Sequence, residues 1–164
     1  MHVESQVSEA LRRLAQAIEN ESVAMLTLRE GDVLASRPMT PLRMDADGVL
    51  WFMTSRAALA PYVEATGSAV ALAFCAPDDG RYVSVGGTAR LVDDAERKRA
   101  LWTPMARAWF TGPDDPDLSL LAVTPVQAEV WQGPHSAVTR LLAQAASTIA
   151  GREIGLGDKQ TLTP

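Results

Sequence analysis

Two apolar runs, Ser68-Ala69-Val70-Ala71-Leu72-Ala73-Phe74-Cys75 and Tyr82-Val83-Ser84-Val85-Gly86-Gly87-Thr88-Ala89-Arg90-Leu91-Val92, flank the turn Pro77-Asp78-Asp79-Gly80. Pro, Asp and Gly are the residues of tight turns, and two such runs around them read as a β-hairpin. Gly86-Gly87 is not a dinucleotide fingerprint, because the third glycine and the following helix are missing. A bulge or a close backbone approach is the better reading.

Outward from this hairpin the chain reads mainly as strand. Ser22 to Leu28 is a short strand ending at the Arg29–Asp32 turn. Val33 to Arg43 is a second strand, and Pro38 and Pro41 interrupt its ladder. Asp45-Ala46-Asp47-Gly48 is a turn, and Val49 to Thr54 a third strand. Ser55 stands where an N-cap belongs, before a helix from Ala57 to about Glu64 that Pro61 makes irregular. Asp93 or Asp94 caps a helix through Lys98 and Leu101. Thr111 to Asp117 is a loop in which solvated aspartates are favoured over a cation site. Leu118 to Trp131 is a long strand kinked at Pro125. Val7, Leu11, Leu14 and Ile18 form one face of an N-terminal helix. A last helix spans Ala137 to Ala150 and ends at Gly151, with His135-Ser136 read as its cap. The expected organisation is one domain over 1–151 and an aperiodic, mobile tail over 152–164.

The count is about six antiparallel strands with flanking helices, which fits a small barrel. An α+β sandwich fits the strand pattern equally well. The 164 residues suffice for one sizeable core, and 47% apolar content is that of a soluble globular protein. A net charge of −5 argues against nucleic-acid binding, which needs a basic face. The single cysteine, Cys75, rules out an intrachain disulfide and reads as an inert buried thiol. No metal site is expected. The N-terminus lacks the regions of a signal peptide and no apolar run is long enough for a membrane span, so the cytoplasm is the expected location, with no membrane partner.

Three segments together resemble the FMN-binding split-barrel superfamily of pyridoxamine 5'-phosphate oxidase-like proteins, in its general-stress-protein branch. They are Ser36-Arg37-Pro38-Met39, then Leu50-Trp51-Phe52-Met53-Thr54-Ser55-Arg56, and Trp109-Phe110-Thr111-Gly112-Pro113-Asp114-Asp115-Pro116-Asp117-Leu118 followed by Glu129-Val130-Trp131. Gly87-Thr88-Ala89-Arg90 falls in the matching order.

The resemblance implies a six-stranded antiparallel split β-barrel that binds FMN, with FAD or a deazaflavin as alternatives, at the interface of a homodimer. It implies a flavin phosphate held by Thr54 and Ser55 at a helix start, where free N–H groups and Arg56 or Arg37 add donors. Pro38, Met39, Trp51, Phe52 and Met53 line the ring, and Trp102, Trp109 or Trp131 of the second chain covers it. Read alone, Thr54-Ser55-Arg56 is a helix cap with a surface arginine, Arg37 a surface or ion-paired residue, and the tryptophans core or interface aromatics.

Such proteins often carry a lysine shortly after the Thr-Ser pair. Here the chain reads Ala57-Ala58-Leu59-Ala60-Pro61. Either an arginine substitutes, or flavin binding is weakened or lost. The C-terminal Arg and His pair of true pyridoxamine-phosphate oxidases has no counterpart near Thr161-Leu162-Thr163-Pro164, so vitamin B6 oxidation is not expected. Three functions remain open: a flavin-dependent oxidoreductase, a non-enzymatic flavin-binding stress protein, and a barrel without flavin acting as an interaction module. No residue stands out as a catalytic acid or base.

Overall fold

A computed structural model describes residues 1–133 and 158–163, with the side chains of 158–160 left aside. The elements are β1 (His2–Val3), α1 (Glu9–Ile18), β2 (Ala24–Glu30), β3 (Val33–Met39), β4 (Pro41–Met44), β5 (Leu50–Ser55), α2 (Arg56–Leu59), β6 (Ser68–Ala76), β7 (Arg81–Val92), α3 (Ala95–Leu101), β8 (Leu118–Gln132) and β9 (Asp158–Leu162). They form one nine-stranded sheet in the order β1-β4-β5-β8-β7-β6-β2-β3, with β9 added to β8. The fold is mainly β, of the split-barrel class.

The β6–β7 hairpin pairs from Ser68↔Ala89 to Ala76↔Arg81. Gly80 closes its turn at φ +63°, a left-handed conformation that glycine adopts without a Cβ penalty. The ladder between β7 and β8 shifts register between Gly86 and Gly87. A Cβ on Gly87 would lie 2.5 Å from the Thr124 carbonyl oxygen, so the backbones approach too closely for any side chain. The bulge read from the glycine pair is therefore present, opposite Pro125.

β8 organises the molecule. Its first half pairs with β5, from Ser55↔Leu118 to Leu50↔Val123. Its second half pairs with β9, and β7 runs along its whole other edge. The main core gathers Phe52, Phe74, Leu26, Leu72, Leu121 and Val123, all at most 1% exposed. Trp51 and Phe52 alternate faces on β5. Phe52 enters this core, while Trp51 packs with Leu101 and Leu120 beneath α3. With apolar groups on both faces, Leu118 to Leu121 is buried without alternation.

Several expectations change. Val33 to Arg43 is two strands with a break at Thr40, because neither Pro38 nor Pro41 can donate to a ladder. The helix after Ser55 has only four residues and ends before Pro61. Val7 precedes α1 and is 70% exposed, leaving Leu11, Leu14, Ala15 and Ile18 as the buried face. Cys75 is exposed, on the outward side of β6 beside Ala69, Ala71 and Ala73. Part of the expected tail forms β9, paired with Ala128 to Gln132, so the count is nine strands rather than six. The helix expected over 137–150, its cap at Gly151 and His135-Ser136 lie outside the described residues. Asp94, rather than Asp93, caps α3, accepting from the Arg97 N–H.

Candidate functional site

The proline-enforced break between β3 and β4 leaves backbone and side chains facing the end of β5. The connection from α3 to β8 folds over the same place. It runs through a 3-10 turn, Pro104–Ala108, into the loop that ends at Asp117. Between these three segments lies a cavity of about 410 Å³. Pro38, Met39, Thr40 and Leu42 line one side, Met53, Thr54 and Ser55 the floor, and Thr103, Met105, Ala106, Trp109, Phe110 and Asp117 the other side. Met39 is buried, whereas Trp109 is 71% exposed at the rim.

Asp115 shapes the loop. Its carboxylate accepts from the N–H and hydroxyl of Thr111, each at 2.9 Å, and from the Asp117 N–H at 2.9 Å. The Thr111 N–H first, then that of Asp117, hold the Asp115 carboxyl below its ordinary value of 3.8. The aspartate-rich segment is thus a tied turn. Among the described residues, no group of three or more His, Cys, Asp or Glu is placed to hold a metal.

The tied turn delivers Asp117 to the start of α2. Its carboxylate accepts a 2.8 Å hydrogen bond from the Ala57 N–H, and its carbonyl accepts from the Arg56 N–H at 2.7 Å. The Ser55 hydroxyl accepts from the Ala58 N–H at 3.1 Å. A hydrogen bond from that hydroxyl, ahead of the one from Ala57, lowers the Asp117 carboxyl below its ordinary 3.8. The N–H groups expected to be free at this helix start are therefore taken, and the Ser55 proton is engaged as well.

The arginines are engaged too. Arg56 pairs with Asp93 at 2.6 Å, and the other Asp93 oxygen accepts from Lys98 Nζ at 2.8 Å. Lys98 is buried and also donates to the Leu118 carbonyl. Its contact, then that of Arg56, holds the Asp93 carboxyl below the usual range. Arg37 is ion-paired with Glu30.

Six of the residues nominated from sequence converge on the cavity: Pro38, Met39, Met53, Thr54, Ser55 and Trp109. The other five do not line it in their own chain. Phe52 is core, and Trp51 donates its indole N–H to Asp45 at 3.0 Å beneath the Arg97 guanidinium, 4.2 Å from its ring. Arg37 and Arg56 are held by carboxylates, and Trp131 sits on β8 opposite Tyr82, at the far end of the β7–β8 ladder. Sequence reasoning missed Thr40, Leu42, Thr103, Met105, Ala106, Phe110 and Asp117. Phe110 and Asp117 stood inside a quoted motif, but nothing in spacing alone singles out Thr40 or Thr103.

This arrangement fits one part of a flavin mononucleotide and not the other. An apolar slot of Met39, Leu42, Met53, Trp109 and Phe110 suits a flat heteroaromatic ring. The phosphate end fails the fit. The one ionised side chain among the described lining residues is Asp117, an anion where a dianion would need a cation.

Comparisons with known proteins agree with the fold. General stress protein 26 of Bacillus subtilis (strain 168) is 41% identical over 44 residues, a stretch covering 27% of this chain and only 31% of that protein. A general stress FMN/FAD binding protein from Xanthomonas citri is 27% identical, with a TM-score of 0.67, over 78% of this chain and 92% of that one. A crystal structure of a candidate general stress protein 26 from Jannaschia sp. CCS1 superposes with a TM-score of 0.72 at 25% identity, over 93% of this chain and 97% of that one. The model of the family described as pyridoxamine 5'-phosphate oxidase like matches residues 9–155, and the chain belongs to that family.

Proposed function

We propose that this protein is a flavin-binding protein of the general stress type, with the isoalloxazine ring seated in the cavity between β3, β5 and the α3–β8 connection. The observation that carries this reading is the convergence of Met39, Met53, Thr54 and Trp109 from three distant stretches onto one mostly apolar cavity. The Xanthomonas citri relative, described as an FMN/FAD binding protein, supports it.

A bound flavin supplies hydride and single-electron chemistry. The chain's own contribution is to exclude water from the buried side with Met39 and Thr54, and to cover the ring with the exposed Trp109 indole. Asp117, the one titratable group lining the cavity among the described residues, stays ionised near neutral pH because Ser55 and Ala57 donate to it. It therefore serves as an acceptor and not as a proton donor. Of the two remaining readings, flavin storage or sensing needs nothing further, whereas oxidoreductase activity needs a donor that reduces the bound flavin.

A second copy of the chain is the partner this reading favours. The outward side of β6 offers Ala69, Ala71, Ala73 and Cys75, flanked by Met25 at 38% exposure on β2. Small side chains on a sheet face let another sheet approach closely.

The test is the visible absorption spectrum of the natively isolated protein, with any released chromophore identified by mass. A flavin spectrum supports the reading. A colourless protein that takes up no added riboflavin, FMN or FAD contradicts it.

A further inference from the structure

The one charge among the described lining residues has the wrong sign for a phosphate, and the hydroxyls around it suit a sugar alcohol. Thr54 is 8% exposed and lines the cavity, and its side chain has no hydrogen-bond partner among the described residues. Its hydroxyl is thus open to a ligand in the cavity. Thr40 and Thr103 line the same cavity, and no hydrogen bond engages their side chains among the described residues. Each hydroxyl donates one hydrogen bond and accepts others, so three of them complement neutral hydroxyl groups.

Asp117 completes the set. Its carboxylate uses two hydrogen bonds on Ser55 and Ala57 and keeps lone pairs that accept further O–H donors. The same carboxylate repels a phosphate, which carries roughly −1.5 to −2 charges at pH 7. The α2 N–H groups are capped by Ser55 and Asp117. Arg56, whose charge also reaches Asp117, shares Asp93 with Lys98.

We propose that the cavity recognises the ring and polyhydroxyl chain of a flavin and discriminates against its terminal phosphate, so that riboflavin, and not FMN, is the preferred ligand. This rests on the flavin reading above and goes beyond it in naming the ligand class. Thr54, Thr40 and Thr103 address the ribityl hydroxyls, and Asp117 sets the selectivity.

The experiment is a pair of equilibrium titrations, riboflavin and FMN separately, into the full-length protein at neutral pH and low salt. Riboflavin is expected to bind at least about threefold tighter than FMN. Removing the charge with Asp117→Asn is expected to raise the ratio of FMN to riboflavin affinity about tenfold, the scale of one partly screened charge against a dianion. Because Asp117 also caps α2, a second variant guards against misfolding. Met105 lies 64% exposed on the cavity rim, so Met105→Lys adds a cation without touching the core. It too is expected to favour FMN selectively.

FMN binding as tightly as riboflavin or more tightly in the unaltered protein overturns the inference, and means that a cation reaches the phosphate from a second copy or another segment. Equal responses of both ligands to both variants overturn it as well. Binding of neither ligand overturns the flavin reading itself, an outcome distinct from the reversed preference.

Discussion

The carboxylate of Asp117 caps the backbone of Ala57 at 2.8 Å, joining the loop before β8 to the first turn of α2 across 60 residues of sequence. One contact thus fixes two sides of the candidate cavity and decides its charge. The expectations below follow from this relationship and from the β7–β8 bulge.

Acid should loosen this junction. The folded-state carboxyls of Asp115 and Asp117 lie below their ordinary 3.8. Their stabilising contribution is complete above that value and is lost as pH falls through the lowered ones. Thermal melts are expected to decline below about pH 4, and Asp115→Asn should flatten that decline relative to the unaltered chain.

Gly87→Ala places a methyl group 2.5 Å from the Thr124 carbonyl oxygen, and backbone cannot yield as a flexible side chain would. A loss of about 1–3 kcal/mol is expected, seen as a lower urea midpoint at unchanged slope. Gly86→Ala meets only the Gln127 side chain, at 3.4 Å, and should cost markedly less.

Phe52→Ala empties a fully buried position of the main core and is expected to cost about 3–5 kcal/mol in denaturant unfolding. Trp109→Ala should leave the melting temperature nearly unchanged, since Trp109 is 71% exposed. It should weaken flavin binding roughly tenfold, the scale of one aromatic stacking contact.

Ala71→Arg puts a charge in the middle of the outward β6 face, between Ala69 and Ala73. If a second copy covers that face, light scattering will show dimers for the unaltered protein and monomers for the variant, with each chain still folded by circular dichroism.

The hairpin, the N-terminal helix, the bulge and the break near Pro38 and Pro41 were legible because turn chemistry, periodicity and missing donors act locally. The β3–β4 break and the shortness of α2 follow from prolines already visible in the sequence. β9 was not legible. Asp158 to Leu162 has no strand alternation, and it is a strand because β8 offers an unpaired edge opposite Ala128 to Gln132. At the site, motif residues located the cavity but not its charge. Whether Arg56 faces a ligand or Asp93 depends on a partner 37 residues away, and spacing carries no such information. The same holds for Asp117, which reads locally as one more loop aspartate.

The most direct test of the central claim is equilibrium dialysis of the full chain against riboflavin, with tryptophan emission followed in the same samples. The account predicts about one riboflavin retained per chain, and quenching that is largely lost in Trp109→Phe, which places the ring beside that indole. Retention of no riboflavin, or retention with quenching indifferent to Trp109, contradicts it.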